Sequence, residues 1–571
     1  MSISQSVPAG DRPVAAPPQT AAHVVGRLLG DCGVEHVFGV TGSGNFVATS
    51  ALIEAGATFV AARHEAGAVS MADGYARAGG RVGVASVHQG PGLTNTITSL
   101  VEAVKSRSPL LLVTGDTSDG ATRSNFYVPQ VDLVTSLGAG SERPRHGQEV
   151  ASATMRALAR AETERRPVVL HLPLDVQHSP MSNPADGAAG SKGHPTGGFP
   201  PPSGNSLDRL VAAIEAAQRP LILAGRGVWT ADSRVAVEEL RDRLGAIMAT
   251  SAAAHGLFAG NPWSLGICGG FASRPAATIV RDADLVIGLG VSYTKWTTRH
   301  GTAFAPGATL VQVDNDPAAL SADPRVDLPV EGDVAATVNA LLERLTGIRP
   351  REQRWDVRLG AEAVADSAWN VQPFHDETGD GRIDPRTLSL LLDGLMPAER
   401  TVVVDGGHFV GFPSMYWSVP DPAGYLFTGA GFQSIGLGLG AAVGAAIGGP
   451  DRTVVLAIGD GGLHMSLVEL DTLARLRLPV LVVVYNDAAY GAEVHHYKDS
   501  GADLGLVRFP DTDFVRVAAG FGIEGATVRQ PKDLDVVARW LACENRGPLL
   551  LDCKIVTTVV ADYQAEAFIG H

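Results

Sequence analysis

TVVLAIGDGG, residues 453–462, and VLVVVYND, residues 480–487, are the two strings whose reading decides the architecture. Each is a run of apolar, mostly β-branched residues that stops at a polar turn. Continuous runs of this kind suit strands buried on both faces, as in parallel sheets covered by helices. Between them, Leu467 to Leu476 carries a helical pattern, so the unit reads strand, helix, strand. Asp460 and Asp487 then stand at the carboxyl ends of two strands, where open parallel sheets bind ligands. Two carboxylates, a backbone carbonyl and two phosphate oxygens meet the oxygen-rich, octahedral demand of Mg²⁺. Gly461 and Gly462 let backbone N–H groups approach a phosphate, and a helix N-terminus favours the anion.

The same alternation runs through the chain. Val82–Val87, Leu110–Thr114 and Val168–Leu172 read as strands of a first unit. Leu221–Ala224, Leu285–Leu289 and Leu310–Val313 belong to a second, and Thr401–Val404 joins the two strings above in a third. The stretch Ser179 to Asn205 is dense in Pro, Gly and Ser and reads as a linker. A second junction falls near Gly347 to Arg382, where apolar periodicity weakens. The fold class is α/β: three doubly wound parallel-sheet domains at 21–180, 206–350 and 381–555. Linkers occupy 181–205 and 351–380, and residues 1–20 form a disordered tail.

The length of 571 residues suffices for several full cores, and 18% charged residues is ordinary for a globular enzyme. The net charge of −15 argues against nucleic acid or an anionic membrane as the main partner. No apolar run is long enough to span a bilayer. The four cysteines form no CxxC pair or zinc spacing, and the N-terminus has no basic start followed by an apolar run. A cytoplasmic protein is expected.

A lone GDG is an ordinary turn, and Gly379-Asp380-Gly381 is such a decoy: no strand precedes it, and position 407, equally far downstream, is Gly. Asp460 is different because it pairs with Asp487, and that spacing resembles the thiamine-diphosphate signature of GDG followed by NN. The second Asn of the family's pair is Asp487 here, which is also a competent oxygen ligand. The resemblance extends from about Ala21 to nearly the end. Arg63-His64-Glu65-Ala66, Met71-Ala72-Asp73-Gly74-Tyr75-Ala76-Arg77 and His88-Gln89-Gly90-Pro91-Gly92-Leu93-Thr94-Asn95 resemble acetolactate synthase, benzaldehyde lyase and the 2-hydroxyacyl-CoA lyases.

The resemblance implies that the three domains are pyrimidine-binding, central Rossmann-like and diphosphate-binding. It implies thiamine diphosphate held through Mg²⁺, with the carbonyl of Ala489 as third protein ligand. Glu65 would exchange a proton with the cofactor's aminopyrimidine, the step that activates the thiazolium carbon. Gly431-Phe432-Gln433-Ser434-Ile435-Gly436 puts Ile435 where relatives carry an apolar wedge under the bent cofactor. The backbones of Gln433 and Ile435 would hold the pyrimidine edge. Asp405-Gly406-Gly407-His408-Phe409 matches the other diphosphate loop, with His408 either a donor or a core histidine; Phe409 and Tyr490 complete the cofactor set. His88, Gln89 and His496 are candidate substrate contacts. Glu65 and Asp460 lie in different domains, and relatives assemble their sites between chains, so a homodimer or homotetramer is expected.

Asn486-Asp487-Ala488-Ala489-Tyr490-Gly491-Ala492-Glu493 places an acid where acetolactate synthase has an apolar or aromatic residue. Glu493 is either a base that deprotonates a substrate hydroxyl or a helix-N-terminal acid favoured by the dipole. As a base it suits the 2-hydroxyacyl-CoA lyases, within them the branch acting on 2-hydroxyisobutyryl-CoA, which release a ketone or aldehyde and formyl-CoA. Leu289-Gly290-Val291-Ser292-Tyr293-Thr294-Lys295-Trp296 and Arg299-His300-Gly301 resemble a middle-domain segment of the same lyases and of oxalyl-CoA decarboxylases. That segment's ADP-contacting arginine is not matched, so ADP is doubtful; FAD is unsupported. The alternatives are a carboligase or decarboxylase of the acetolactate-synthase or benzaldehyde-lyase kind, acting on 2-oxo acids or acyloins without CoA, and a catalytically dead relative. Glu65, Asp460 and Ile435 speak against the last. The C-terminal segment 556–571, with Tyr563 and Phe568, is either a lid or a frayed end.

Overall fold

Among the described residues the apolar runs become eighteen strands in three six-stranded sheets, and every strand pairing within those sheets is parallel. The computed structural model describes residues 19–181, 202–229, 231–320, 322–346, 355 and 359–564. Residues 1–18 of the expected N-terminal tail, most of the 181–205 linker and Phe568 lie outside the described residues, while Thr20 is bridged to Pro180. The first sheet comprises β1 His36–Gly39, β2 Thr58–Ala61, β3 Gly83–Val87, β4 Leu110–Asp116, β5 Gly140–Glu142 and β6 Pro167–Pro173. The second holds β7 Pro220–Ala224, β8 Ile247–Thr250, β9 Ser264–Ile267, β10 Leu285–Leu289, β11 Thr309–Asp314 and β12 Leu328–Glu331. The third holds β13 Arg400–Val404, β14 Tyr425–Phe427, β15 Thr453–Gly459, β16 Val480–Asn486, β17 Glu524–Val528 and β18 Leu549–Lys554.

Strand order separates the sheets by kind. The first runs β2-β1-β3-β4-β6-β5 and the third β14-β13-β15-β16-β18-β17, one topology used twice. The second runs β12-β11-β10-β7-β8-β9, the order of a dinucleotide-binding fold read from its far edge. Order reverses between β13 and β15, so the crevice at their carboxyl ends is where a ligand is expected.

Five helices matter for the site: α1 Glu65–Gly79, α2 Ile97–Lys105, α3 Gly438–Gly448, α4 Asp460–Ser466 and α5 Gly491–Tyr497. α1 and α3 pack with small residues between them, which ties the first unit to the third. A Cβ on Gly74 or Gly444 would collide with the backbone of the opposite helix, so only glycine permits this approach. Single-helix patterning over Leu467 to Leu476 is too narrow. α4 begins at Asp460 itself, a 3₁₀ turn spans Leu467–Glu469, and helix resumes over Leu470–Leu476. Two glycines in the first turn make that start read as a loop.

The stretch expected as a second linker is partly packed. Val364 of the short helix Ala361–Ala365 is buried, and Trp355 donates its indole N–H to the Pro220 carbonyl at 3.1 Å. Among the described residues no helix is long and apolar enough to cross a membrane.

Candidate active site

A cavity of about 280 Å³ opens at the carboxyl ends of β13, β15 and β16. Its walls come from the turn after β13 (Gly406, Gly407, His408 and Phe409), the start of α4 (Asp460, Gly461, Gly462 and Met465) and the loop after β16. That loop contributes Asp487, Ala489, Tyr490 and Glu493, and Ile435 closes one side. The cavity therefore gathers most of the third unit's candidates from four separate turns.

Asp460 and Asp487 are both buried and joined to each other through their carboxyl groups. Burial first, and then the facing Asp487, push the Asp460 pKa up. Burial also raises that of Asp487. Two carboxylates out of water and against each other need a shared proton or a cation between them. A divalent ion fits that donor set. Among the described residues no three His, Cys, Asp or Glu side chains converge as a metal cluster. A metal here would draw its other oxygens from backbone, water or ligand phosphate, as Mg²⁺ commonly does.

The loop after β16 is shaped for this. Ala488 has φ +58°, an unusual conformation for a residue with a side chain. It is supported by Asn486, whose side-chain oxygen accepts the Ala488 N–H at 3.1 Å. The flanking bridge uses the Ala488 carbonyl and the Tyr490 N–H, bonded to Phe509 and Val507, and so leaves the Ala489 carbonyl out of its ladder. Asp552 at 2.8 Å then fixes Asn486, and Lys554 pairs with Asp552 at 2.9 Å.

His408 is buried, and burial pulls its pKa down to about 4, so it is a neutral imidazole at ordinary pH. Its Nε2 stands 3.6 Å from the Asp487 carboxylate. It is thus at once a buried histidine and a wall of the cavity. Phe409 backs the same wall, its ring stacked on Tyr485 at 5.4 Å. The Tyr490 ring meets Phe509 edge-on at 4.8 Å. Gln433 lies outside the lining, exposed, with φ +58°.

The helix phase of α5 separates its two histidines. His496 is exposed against Tyr497, away from the lining. His495 is turned inward instead, its ring 5.0 Å from that of His408 and its Nε2 buried. Gly491 and His495 share a helix face that packs against His408, whereas Glu493 is exposed and belongs to the cavity lining. Spacing alone identifies the faces but not which one turns inward.

Glu65, His88 and Gln89 do not line this cavity. They form a second cluster at the carboxyl ends of the first sheet. Glu65, at the start of α1, accepts the side-chain N–H of Asn95 at 2.9 Å. His88 accepts the Gly44 N–H at 3.0 Å and meets the Phe126 ring at 5.0 Å. Gln89 is buried with its oxygen unpaired. The described chain therefore carries two separate clusters of candidates.

Two buried acids support the site without having been singled out in the sequence. Asp405 is fully buried, and burial raises its pKa to about 6 while backbone N–H groups pull it back. Glu469 accepts the N–H groups of Arg63 and His64 at 3.0 and 3.1 Å, so it holds the approach to Glu65 from the third unit.

The C-terminal segment is anchored as far as it is described. Tyr563 is buried, and its hydroxyl donates to the carbonyls of Gly407 at 3.1 Å and His408 at 2.9 Å. Gln564 donates to the Ala492 carbonyl of α5 at 3.3 Å. Truncation after Thr558 removes both ties. It is expected to lower kcat/KM by about 10-fold, roughly one or two net hydrogen bonds. Steady-state kinetics on the truncated protein check this; unchanged values would mean a passive end.

Residues 19–136 match the family described as "Thiamine pyrophosphate enzyme, N-terminal TPP binding domain". Residues 207–341 match its central domain and 405–553 its C-terminal TPP binding domain. The acetolactate synthase isozyme 3 large subunit of Escherichia coli is 29% identical over 90% of this chain and 91% of its own length. A probable 2-ketoarginine decarboxylase of Pseudomonas aeruginosa is 29% identical over 91% of each chain. The thiamine diphosphate-dependent 4-hydroxybenzoylformate decarboxylase of Rhodococcus jostii superposes with a TM-score of 0.78. That match covers 95% of this chain and 100% of the other at 23% identity, and it speaks to the fold.

Proposed function

Since the chain belongs to the thiamine-diphosphate enzyme superfamily, among relatives of the acetolactate synthase and decarboxylase type, we propose that it is a carbon–carbon lyase. Its substrate is a 2-hydroxyacyl-CoA of the 2-hydroxyisobutyryl-CoA type. The observation that carries this reading is Glu493, an acid in the wall of the cavity that also holds Asp460 and Asp487.

In this reading Asp460, Asp487 and the Ala489 carbonyl hold Mg²⁺. The N–H groups at the start of α4, around Gly461 and Gly462, and the turn at His408 face the diphosphate. Bound there, the cofactor supplies a nucleophilic carbon and an electron sink. Ile435 supports its bend. Glu65 exchanges the proton at the aminopyrimidine N1′. Glu493 takes the proton of the substrate 2-hydroxyl as the C1–C2 bond breaks. The hydroxyl carbon leaves as a ketone or aldehyde, and the acyl carbon gains a proton and leaves as formyl-CoA. Since Glu65 lies outside the cavity lining of its own chain, this reading calls for a homodimer or homotetramer in which a second chain would supply it.

Incubation with 2-hydroxyisobutyryl-CoA, thiamine diphosphate and Mg²⁺ should yield acetone and formyl-CoA by mass spectrometry. Absence of both rejects the reading. Glu65→Gln should keep fold and cofactor binding and lose about 10²–10⁴-fold in activity, the worth of an acid–base group. Deuterium exchange at the cofactor's C2 is the check; a wild-type rate would remove Glu65 from activation.

A second reading is favoured by the relatives' names: a carboligase or decarboxylase acting on 2-oxo acids without CoA. There Glu493 would stand at the N-terminal turn of α5 for electrostatic reasons alone.

A further inference from the structure

The loop that carries Ile435 is pinned at both ends by buried carboxylates. At its far end Asp405 accepts the N–H groups of Gly436, Leu437 and Gly438 at 2.8, 3.2 and 3.2 Å. At its near end Glu102 accepts those of Gly431 at 3.1 Å and Phe432 at 2.7 Å. Glu102 is 1% exposed and lies on α2, beside the first sheet, more than 300 residues away in sequence. Ser106 donates its hydroxyl to the same carboxylate at 2.8 Å. The Lys105 ammonium sits 5.0 Å from the Phe432 ring centroid, a second tie between α2 and the loop.

Between the two clamps the Gln433 N–H donates to the Gly429 carbonyl at 3.0 Å, and Ile435 lies beside Gly406. Ile435 is 36% exposed, and Phe432 is exposed as well. Gln433 adopts φ +58°. The backbone anchors at both ends thus help set the height of Ile435 in the cavity. The same α2 follows Asn95, which bonds Glu65, and its Ser99 hydroxyl donates to the Ala66 carbonyl of α1 at 2.9 Å. One helix is therefore tied both to the start of α1, next to Glu65, and to the loop of the wedge.

We propose that Glu102 is a positioning residue: by holding the Gly431 and Phe432 amides it fixes how far Ile435 projects into the cavity. The proposal rests on the reading of Ile435 as the side chain that bends the cofactor. It makes the first unit responsible for the geometry of its own chain's cavity, in addition to the carboxylate it offers through Glu65.

Glu102→Gln keeps the volume but turns an amide NH₂ toward backbone donors. In the full-length, cofactor-free protein, hydrogen exchange of the Gly431 and Phe432 amides should accelerate by about 10- to 100-fold, the worth of a hydrogen bond to a charged group. The dissociation constant for thiamine diphosphate with Mg²⁺ should move less than about 3-fold, because the diphosphate anchors are untouched. Deuterium exchange at the cofactor's C2 should slow by about 10-fold or more. Ser106→Ala, which only loosens Glu102, should shift all three in the same direction by less and covers the case in which Glu102→Gln does not fold. Ile435→Ala separates the two ideas. If it leaves C2 exchange at the wild-type rate, the wedge reading falls. If it slows C2 exchange while Glu102→Gln and Ser106→Ala keep wild-type amide and C2 exchange, the positioning role of Glu102 falls.

Discussion

Asp460→Ala is expected to weaken thiamine diphosphate binding by more than about 100-fold, beyond the 10- to 100-fold typical of losing a residue that only supports a ligand. The two carboxylates are buried against each other; burial raises the cost of ionising both, and the facing Asp487 raises it further for Asp460. In the absence of a cation that arrangement is a liability to the fold. The substitution should therefore leave thermal stability of the cofactor-free protein unchanged or raise it, while the rise in Tm that Mg²⁺ and cofactor bring to wild type should vanish. Titration followed by intrinsic fluorescence, together with thermal melts, reads both effects. A variant that binds cofactor normally would remove Asp460 from the metal site; one with a collapsed melting curve would point to a folding role instead.

Glu493→Gln is expected to lower kcat for 2-hydroxyacyl-CoA cleavage by about 10²–10⁴-fold and to leave cofactor affinity intact. Gln fills the same space, so lost packing is not at issue. Cleavage turns the substrate hydroxyl into a carbonyl, and the proton needs an acceptor at that moment. Branching of the acyl group should not matter, because every 2-hydroxyacyl substrate sheds this proton. The carboxylate also works against a 2-oxo acid, whose own carboxylate it would meet. At ~4 Å the repulsion is about 4 kcal/mol with an effective dielectric of ~20, but about 1 kcal/mol in bulk water. Glu493 is solvent-exposed in the single chain, so the smaller figure applies until the cavity is covered. Steady-state kinetics with each substrate check this. Wild-type cleavage by Glu493→Gln would leave Glu493 as a helix-terminal charge without a part in the chemistry.

The strands were legible because buried parallel strands need continuous apolar runs, and Leu285–Leu289 matches its expected limits to the residue. The pairing of Asp460 with Asp487 was legible because both follow apolar runs that read as strands and their spacing resembles the thiamine-diphosphate signature. The supporting acids were not. Glu102 bonds backbone N–H groups about 330 residues away, and backbone donors leave no mark on a sequence. Asp405 stood inside a recognised string, but its partners at the start of α3 are likewise main-chain atoms. His495 was passed over for His496 because the faces of α5 are known only once Gly491 is seated against His408 and Asp487. The strained Ala488 was hidden because alanine gives no sign of positive φ. Glu65, which the sequence places in another domain, is not among the residues that line the cavity.

The most direct test of the account is a competition. Wild-type protein with Mg²⁺ and thiamine diphosphate is given equal concentrations of 2-hydroxyisobutyryl-CoA and pyruvate, and the products are followed by mass spectrometry. The account predicts formyl-CoA and acetone with little product from pyruvate. Rapid formation of acetolactate or acetaldehyde, with the thioester untouched, would contradict it.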